Sequence, residues 1–252
     1  SPKTVSHVRT IEPGKTGGYM YSIIRPIFSF DFTDPEEYGD NKLHNIKGIK
    51  KAKVVLNVSS VNTKNGKSQP APPTNIGIAL MCTDQQPSVV TTKRPAKGGG
   101  FITTTTTTMP AAAQGKGLGG FATVSADGLG ATTKIISSAN IVSVGDTGQI
   151  GFNLPPPMLR ALRRAMRQKR YFSVFVIDNQ THKGRVAQAD FDGVQSVIFH
   201  AAANDPALHP ILDFEYILDN SKIHTGGGTT RISKTGFMME DMFAGTNSGF
   251  SN

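Results

Sequence analysis

The chain reads as all-β. Short apolar runs recur with a two-residue period, 27 glycines and 15 prolines punctuate them, and threonine tracts add side chains that suit a pleated surface. Only one stretch, near Pro156–Gln168, has helical periodicity instead. At 252 residues there is enough chain to bury one sizeable core.

A first ordered block runs from about Val5 to Met81. After Pro26, Ile27, Phe28, Phe30 and Phe32 mark a strand (FSFDF) read as half-buried. Asp34–Tyr38 is a polar turn, and Ile46–Ile49 leads into a strand whose Ala52, Val54, Leu56 and Val58 share one face. Asn65-Gly66 is a turn signal, and Asn75–Met81 is a third strand.

Between Thr83 and Thr133 the composition changes. KRPAKGGG, six consecutive threonines (Thr103–Thr108) and PAAAQGKGLGG offer little for a core. The segment reads as a long Gly/Thr-rich insert, a loop or extended arm in which the threonine run can form an edge strand. Excursions of this length within a compact domain usually serve a function or move.

Order returns at Lys134–Val144 and Gln149–Leu154, followed by the helix and by strands at Tyr171–Ile177, Arg185–Phe191, Val197–Ala201 and Ile211–Leu218. The expected core is Phe28, Phe30, Leu56, Val58, Ile78, Phe152, Leu159, Leu162, Val174, Val176, Ile198, Leu212 and Phe214. A one-residue slip in any strand would turn its set outward.

The helix is short, basic and amphipathic. Pro155–Pro157 suit its first turn, where a missing backbone donor costs little. Leu159, Leu162 and Met166 fall on one face, flanked by Met158, Ala161 and Ala165, while Arg160, Arg163, Arg164 and Arg167 fall on the other. Lys169 and Arg170 end it, where cations complement the helix dipole. This arginine face is expected to meet an acidic partner surface; a solvated face is the plain alternative.

Residues 219–252 read as an extended C-terminal arm beyond a domain spanning 1–218. Gly226–Gly228 give it a flexible exit. Phe237, Met238, Met242, Phe243 and Phe250 make it too apolar for a solvated linker. They are expected to bury on a neighbouring subunit, methionine adapting well to irregular grooves. Folding back onto its own domain is the competing reading.

No catalytic, cofactor-binding or metal-binding residue is assigned. Gly14-Lys15-Thr16 ends like a phosphate loop, but Arg9 stands where the motif needs glycine. Gly115, Gly117 and Gly120 match the dinucleotide spacing without its strand-turn-helix setting. His7, His44, His182, His200, His209 and His224 are scattered singly, which speaks against zinc. Cys82, the one cysteine, lies in an apolar strand and reads as a buried structural thiol. Asp31, Asp34, Glu36, Glu37 and Asp40 cluster without calcium-loop spacing. No stretch of 18 apolar residues is present, and the start SPKTVSHVRT lacks the apolar core of a signal peptide.

Several blocks, taken in order, resemble the DNRLRE-like jelly-roll modules of surface and carbohydrate-associated proteins. They are VRTIEP with RPIFSFDFT, then IKGIKKAKVVLNV, QIGFNLPPPMLRALRRAM before YFSVFVI, and FHAAANDPALHPILDFEY. Together they cover about Val5–Tyr216, apart from most of Thr83–Thr133. The resemblance implies a two-sheet jelly-roll sandwich and transfers no binding residue, because the matched blocks are scaffold.

The formal net charge of +9 and a pI near 9.7 permit an acidic partner. With a plain scaffold, an extended insert and an anchor-bearing tail, the chain is expected to be a non-enzymatic assembly protein. The specific expectation is a bacteriophage virion component, such as a capsid decoration protein assembled in the host cytoplasm. Its expected partners are the major capsid protein and copies of itself, with no small-molecule substrate and no membrane. Nucleic acid is not expected, since the helix lacks the aromatic interleaving of single-strand binders. The alternative is a carbohydrate- or receptor-binding module, for which Tyr19, Tyr21 and Tyr38 are the few candidate platforms.

Overall fold

The computed structural model describes residues 4–13, 19–34, 46–66, 71–83, 86, 88–108, 137–178, 193–200, 205–218, 229–238 and 242–249. They form an all-β sandwich with one helix. In chain order the strands are β1 (Thr4–Pro13), β2 (Tyr19–Arg25), β3 (Ile27–Asp31), β4 (Ile46–Asn65), β5 (Asn75–Thr83), β6 (Ser88–Pro95), β7 (Phe101–Thr108), β8 (Asn140–Ser143) and β9 (Gly148–Asn153). Helix α1 (Pro156–Arg167) follows, then β10 (Tyr171–Asp178), β11 (Gly193–His200), β12 (Ile211–Leu218), β13 (Thr229–Thr235), β14 (Phe237–Met238) and β15 (Met242–Gly249).

The larger sheet runs β13-β12-β4-β11-β1-β2-β15, with β9 also paired to β4, and the smaller runs β14-β3-β10-β5-β8. Strands β6 and β7 pair with each other in a sheet of their own. Every pairing among the described residues is antiparallel.

Strand β4 is the spine of the larger sheet. Residues 46–55 pair with β12 and 58–65 with β11, while 53–58 pair with β9. Val58 faces both Phe199 and Gly148, which puts β9 on the edge opposite to β11. The alternation read from the sequence holds, with Ala52, Val54, Leu56 and Val58 all buried. It then changes phase: the register shifts near Ser59, and Val61 carries the core onward. A bulge of this kind bends a strand and adds twist.

The two sheets meet through aromatic edges. Phe28 of β3 stands against Phe199 of β11 with ring centroids 5.9 Å apart, and Phe32 against Phe214 of β12 at 6.2 Å. Such edge-to-face pairs add to the burial of apolar area. Helix α1 packs against β4 of one sheet and β10 of the other, so Met158, Leu162, Ala165 and Met166 plug one open side of the sandwich.

Two core expectations shift. Ile198 is only partly buried, because in β11 the odd positions Val197 and Phe199 face inward. Leu159 packs at the margin of the core. Strand β3, expected to be half-buried, is sealed on both faces. Phe28 and Phe30 lie in the main core, and Ile27 and Ser29 are buried on the far side with Ala79, Met81 and Ser173. Ser29 Oγ and Ser173 Oγ satisfy each other at 2.8 Å, which removes the penalty for burying two hydroxyls.

The described residues between 229 and 249, in the stretch expected to form an arm, pair within the two sheets. β13 pairs with β12, β14 with β3, and β15 with β2, so this part of the chain stitches one sheet to the other and returns. The crossing occurs at Gly236, whose N–H bonds the Pro210 carbonyl at 2.7 Å. A Cβ there would come within 2.5 Å of the buried Phe30 ring, so only glycine lets the backbone pass. Phe250, Gly226–Gly228 and the expected strand Arg185–Phe191 lie outside the described residues.

Candidate interaction surface

Helix α1 supplies the first part of the surface. Its C-terminus closes with the Arg170 N–H on the Ala165 carbonyl at 2.9 Å and the Lys169 N–H on the Met166 carbonyl at 3.2 Å. That double bond pattern calls for a left-handed residue, usually glycine, just past the helix. Here Lys169 takes it, with φ of 52°. Holding a lysine in this conformation costs roughly 1–2 kcal/mol, and the molecule gains a cation at the helix end in return.

The arginine face is not uniform. Arg160, Arg164 and Arg167 are exposed, as are Lys169 and Arg170. Arg163 is half-buried, and its Nε is buried without a hydrogen-bond partner among the described residues. The wheel explains it: at 100° per residue Arg163 lies roughly 60° from Met166, on the seam between the apolar and basic faces. The sequence reading treated all four as equivalent; the structure makes Arg163 a border residue.

The second part is the β6–β7 hairpin. The turn Ala96–Gly100 is closed by the Ala96 N–H on the Gly100 carbonyl and the Gly99 N–H on the Ala96 carbonyl, both 3.1 Å. Gly99 and Gly100 adopt φ of 88° and 84°, which suits their lack of a side chain. From Val90 to Thr104 every residue except the half-buried Ala96 is exposed, so both faces of this stretch meet solvent. Phe101 is 72% exposed, with Val90 and Ile102 also open. The turn region carries Lys93, Arg94 and Lys97, and no acidic residue occurs between Ser88 and Thr108. The threonine run is thus a strand of a projecting hairpin, while the remainder of the insert, 109–133, lies outside the described residues.

Gln86 joins the two parts. Just before β6, its Oε1 accepts the Tyr171 N–H at 2.9 Å and its Nε2 donates to the Tyr171 carbonyl at 3.2 Å. Gln86 also lines a cleft of about 20 Å³ with Ala161, Arg164, Gln168 and Arg170. The hairpin root is therefore pinned beside the helix C-terminus. Burial and the nearby Asp31 raise the Tyr171 phenol above its ordinary range, opposed by a hydrogen bond with Thr33.

A separate charged patch covers the outer face of β4, β12 and β13. Arg231 grips Asp213 with two hydrogen bonds, Nε to Oδ1 at 2.9 Å and a second from Nη2 to Oδ2. Glu215 takes Lys51 at 3.2 Å and Lys50 at 3.5 Å. The hydrogen bond from Arg231 holds the Asp213 carboxyl below its ordinary range, outweighing burial, with Lys53 and Lys51 assisting. Glu215 is likewise lowered, first by its bond from Lys51. Lys51, Lys53, Asp213, Glu215 and Arg231 line a depression of about 180 Å³ that also includes Asn153 and Phe214. Small-molecule pockets are mostly apolar and start near 300 Å³. Here the charges are already matched across the strands, as in a ladder that ties three strands together.

Among the described residues no group of three or more His, Cys, Asp or Glu is placed to hold a metal ion. No described helix is long and apolar enough to cross a membrane. Cys82 lies buried in the main core. Of the remaining expected contact residues, Phe237 and Met238 fall in β14 and Met242 and Phe243 in β15. Tyr38 lies outside the described residues, while Tyr19 and Tyr21 lie on β2. Sequence reasoning missed Gln86, whose role depends on a neighbour far along the chain, and the Asp213–Arg231 pair.

No family model, curated protein or solved structure matches the chain.

Proposed function

We propose that this chain is a non-enzymatic structural protein that docks on an assembly, most specifically a virion component such as a capsid decoration protein of a bacteriophage. One observation carries the reading: the exposed cations of α1 and the root of a projecting hairpin are fastened together at Gln86 and Tyr171. A rigid sandwich that presents a basic ridge and an outreaching ribbon on one side suits recognition of a large acidic surface, where complementary charge sets orientation and speeds encounter. The strained Lys169 fits this reading, since a cation stands where glycine would be relaxed.

The test is binding of the purified chain to shells isolated without it, followed by co-sedimentation. Saturable binding in a fixed number of copies per shell is expected. Arg160→Glu with Arg167→Glu should abolish binding and leave thermal unfolding unchanged, because exposed charges contribute little to stability. Retention on a glycan array together with no shell binding would overturn the proposal in favour of a carbohydrate-binding module.

A further inference from the structure

We infer that strand β7 is a pairing edge for a second copy of this chain, joined antiparallel through the β7 strands of two hairpins. This deepens the assembly reading above and rests on it. Among the described residues β7 pairs with β6 alone. A two-stranded hairpin by itself is marginal in water, and an open strand edge presents unpaired N–H and C=O groups that invite another strand.

The two edges of the hairpin differ. Lys93, Arg94 and Pro95 lie on β6, and charged residues and proline are the usual guards of an edge. Strand β7 has none: after Phe101 and Ile102 it is six threonines in a row. Threonine has high strand propensity, and threonine pairs on neighbouring strands favour one another. A run of identical residues also matches its own reversed copy, because antiparallel pairing about a twofold axis puts threonine opposite threonine in every nearby register. Such an interface is self-complementary and closes as a dimer.

Charge selects the partner and its direction. The cations Lys93, Arg94 and Lys97 gather at the turn end of each hairpin. A parallel copy would bring both sets together. An antiparallel copy places them at opposite ends of an eight-residue ladder, about 25 Å apart and beyond the reach of screened repulsion at physiological salt.

The experiment is sedimentation of the full chain over a concentration series, with mild oxidation of single-cysteine variants. Cys82 is buried, so an introduced thiol reports alone. A reversible dimer is expected, and at least one of Thr104→Cys, Thr105→Cys and Thr106→Cys should cross-link to its copy while Val90→Cys on β6 does not. Thr105→Lys with Thr107→Lys should raise the dimer dissociation constant roughly tenfold, with unchanged unfolding. A chain that stays monomeric and does not cross-link overturns strand pairing but leaves the shell-binding test intact. A dimer indifferent to the lysines, or cross-linked through Val90→Cys, overturns the assignment to β7. Loss of shell binding by the arginine variants without any change in dimerisation separates the two readings.

Discussion

Strand β3 (IFSFD) is sealed on both faces, whereas Phe101–Thr104 of β7 (FITTTTTT) meet solvent on both. Each is built of good strand formers with antiparallel partners. What differs is the surroundings. Phe28 and Phe30 enter a core shared by two sheets and a helix, and β14 covers the free edge of β3. Nothing among the described residues covers β7 beyond β6. Stability therefore resides in the sandwich, and the hairpin is available for association with little influence on folding.

The strongest way to break this contrast is truncation after Thr235, which removes β14 and β15 and bares the edges of β3 and β2. The midpoint of thermal unfolding should fall by about 10 °C or more, as expected for a loss of several kcal/mol in a chain of this length. An unchanged midpoint would favour the arm reading and place these strands outside the cooperative fold. Next in size, Phe30→Ala should cost about 3–5 kcal/mol in denaturant unfolding, since it empties a fully buried ring site. A loss below about 1 kcal/mol would put β3 outside the core.

A smaller effect separates the charged face from both. With its carboxyl lowered in the folded state, Asp213 binds fewer protons there than when unfolded. Its stabilising contribution is complete above the ordinary carboxylate range and disappears as pH falls through that range to the folded value. Acid titration of stability should therefore be steeper in the wild type than in Asp213→Asn, by less than about 1 kcal/mol because Arg231 is largely exposed. Equal acid profiles would show that the pair contributes nothing. Smallest of all, Phe101→Ser should alter stability by no more than about 0.5 kcal/mol, although phenylalanine at a strand start would ordinarily read as core. A large loss would mean that the hairpin folds back onto the body.

Much of the fold was legible because alternation reports burial directly. Ala52, Val54, Leu56 and Val58, or Phe28 and Phe30, need no knowledge of their partners to be placed inside. The proline-started helix was legible for the same reason, its buried set following from angular spacing. Ile198 was misjudged because a strand with apolar residues at 197, 198 and 199 has no readable parity. The strands of the tail were not legible because glycine-rich connections hide them: Thr229–Thr235 is a polar run that becomes a strand only beside β12. The interaction surface was half legible. Its arginines are local, but the junction of Gln86 with Tyr171 spans 85 residues and leaves no local trace.

The position of β4 has a consequence for synthesis. It ends at Asn65, yet its partners begin at Gly148, Gly193 and Ile211. A growing chain carries the spine of its larger sheet unpaired until most of the sequence has been made, with ladders this distant placing the domain among slow folders. Through that interval Val54–Val58 is a strand without a sheet. Lys47, Lys50, Lys51 and Lys53 stand directly before it, as charged gatekeepers do beside apolar strands that must wait. Two of these lysines later hold Glu215, so the residues that keep the nascent strand from neighbouring chains also fasten it to its own.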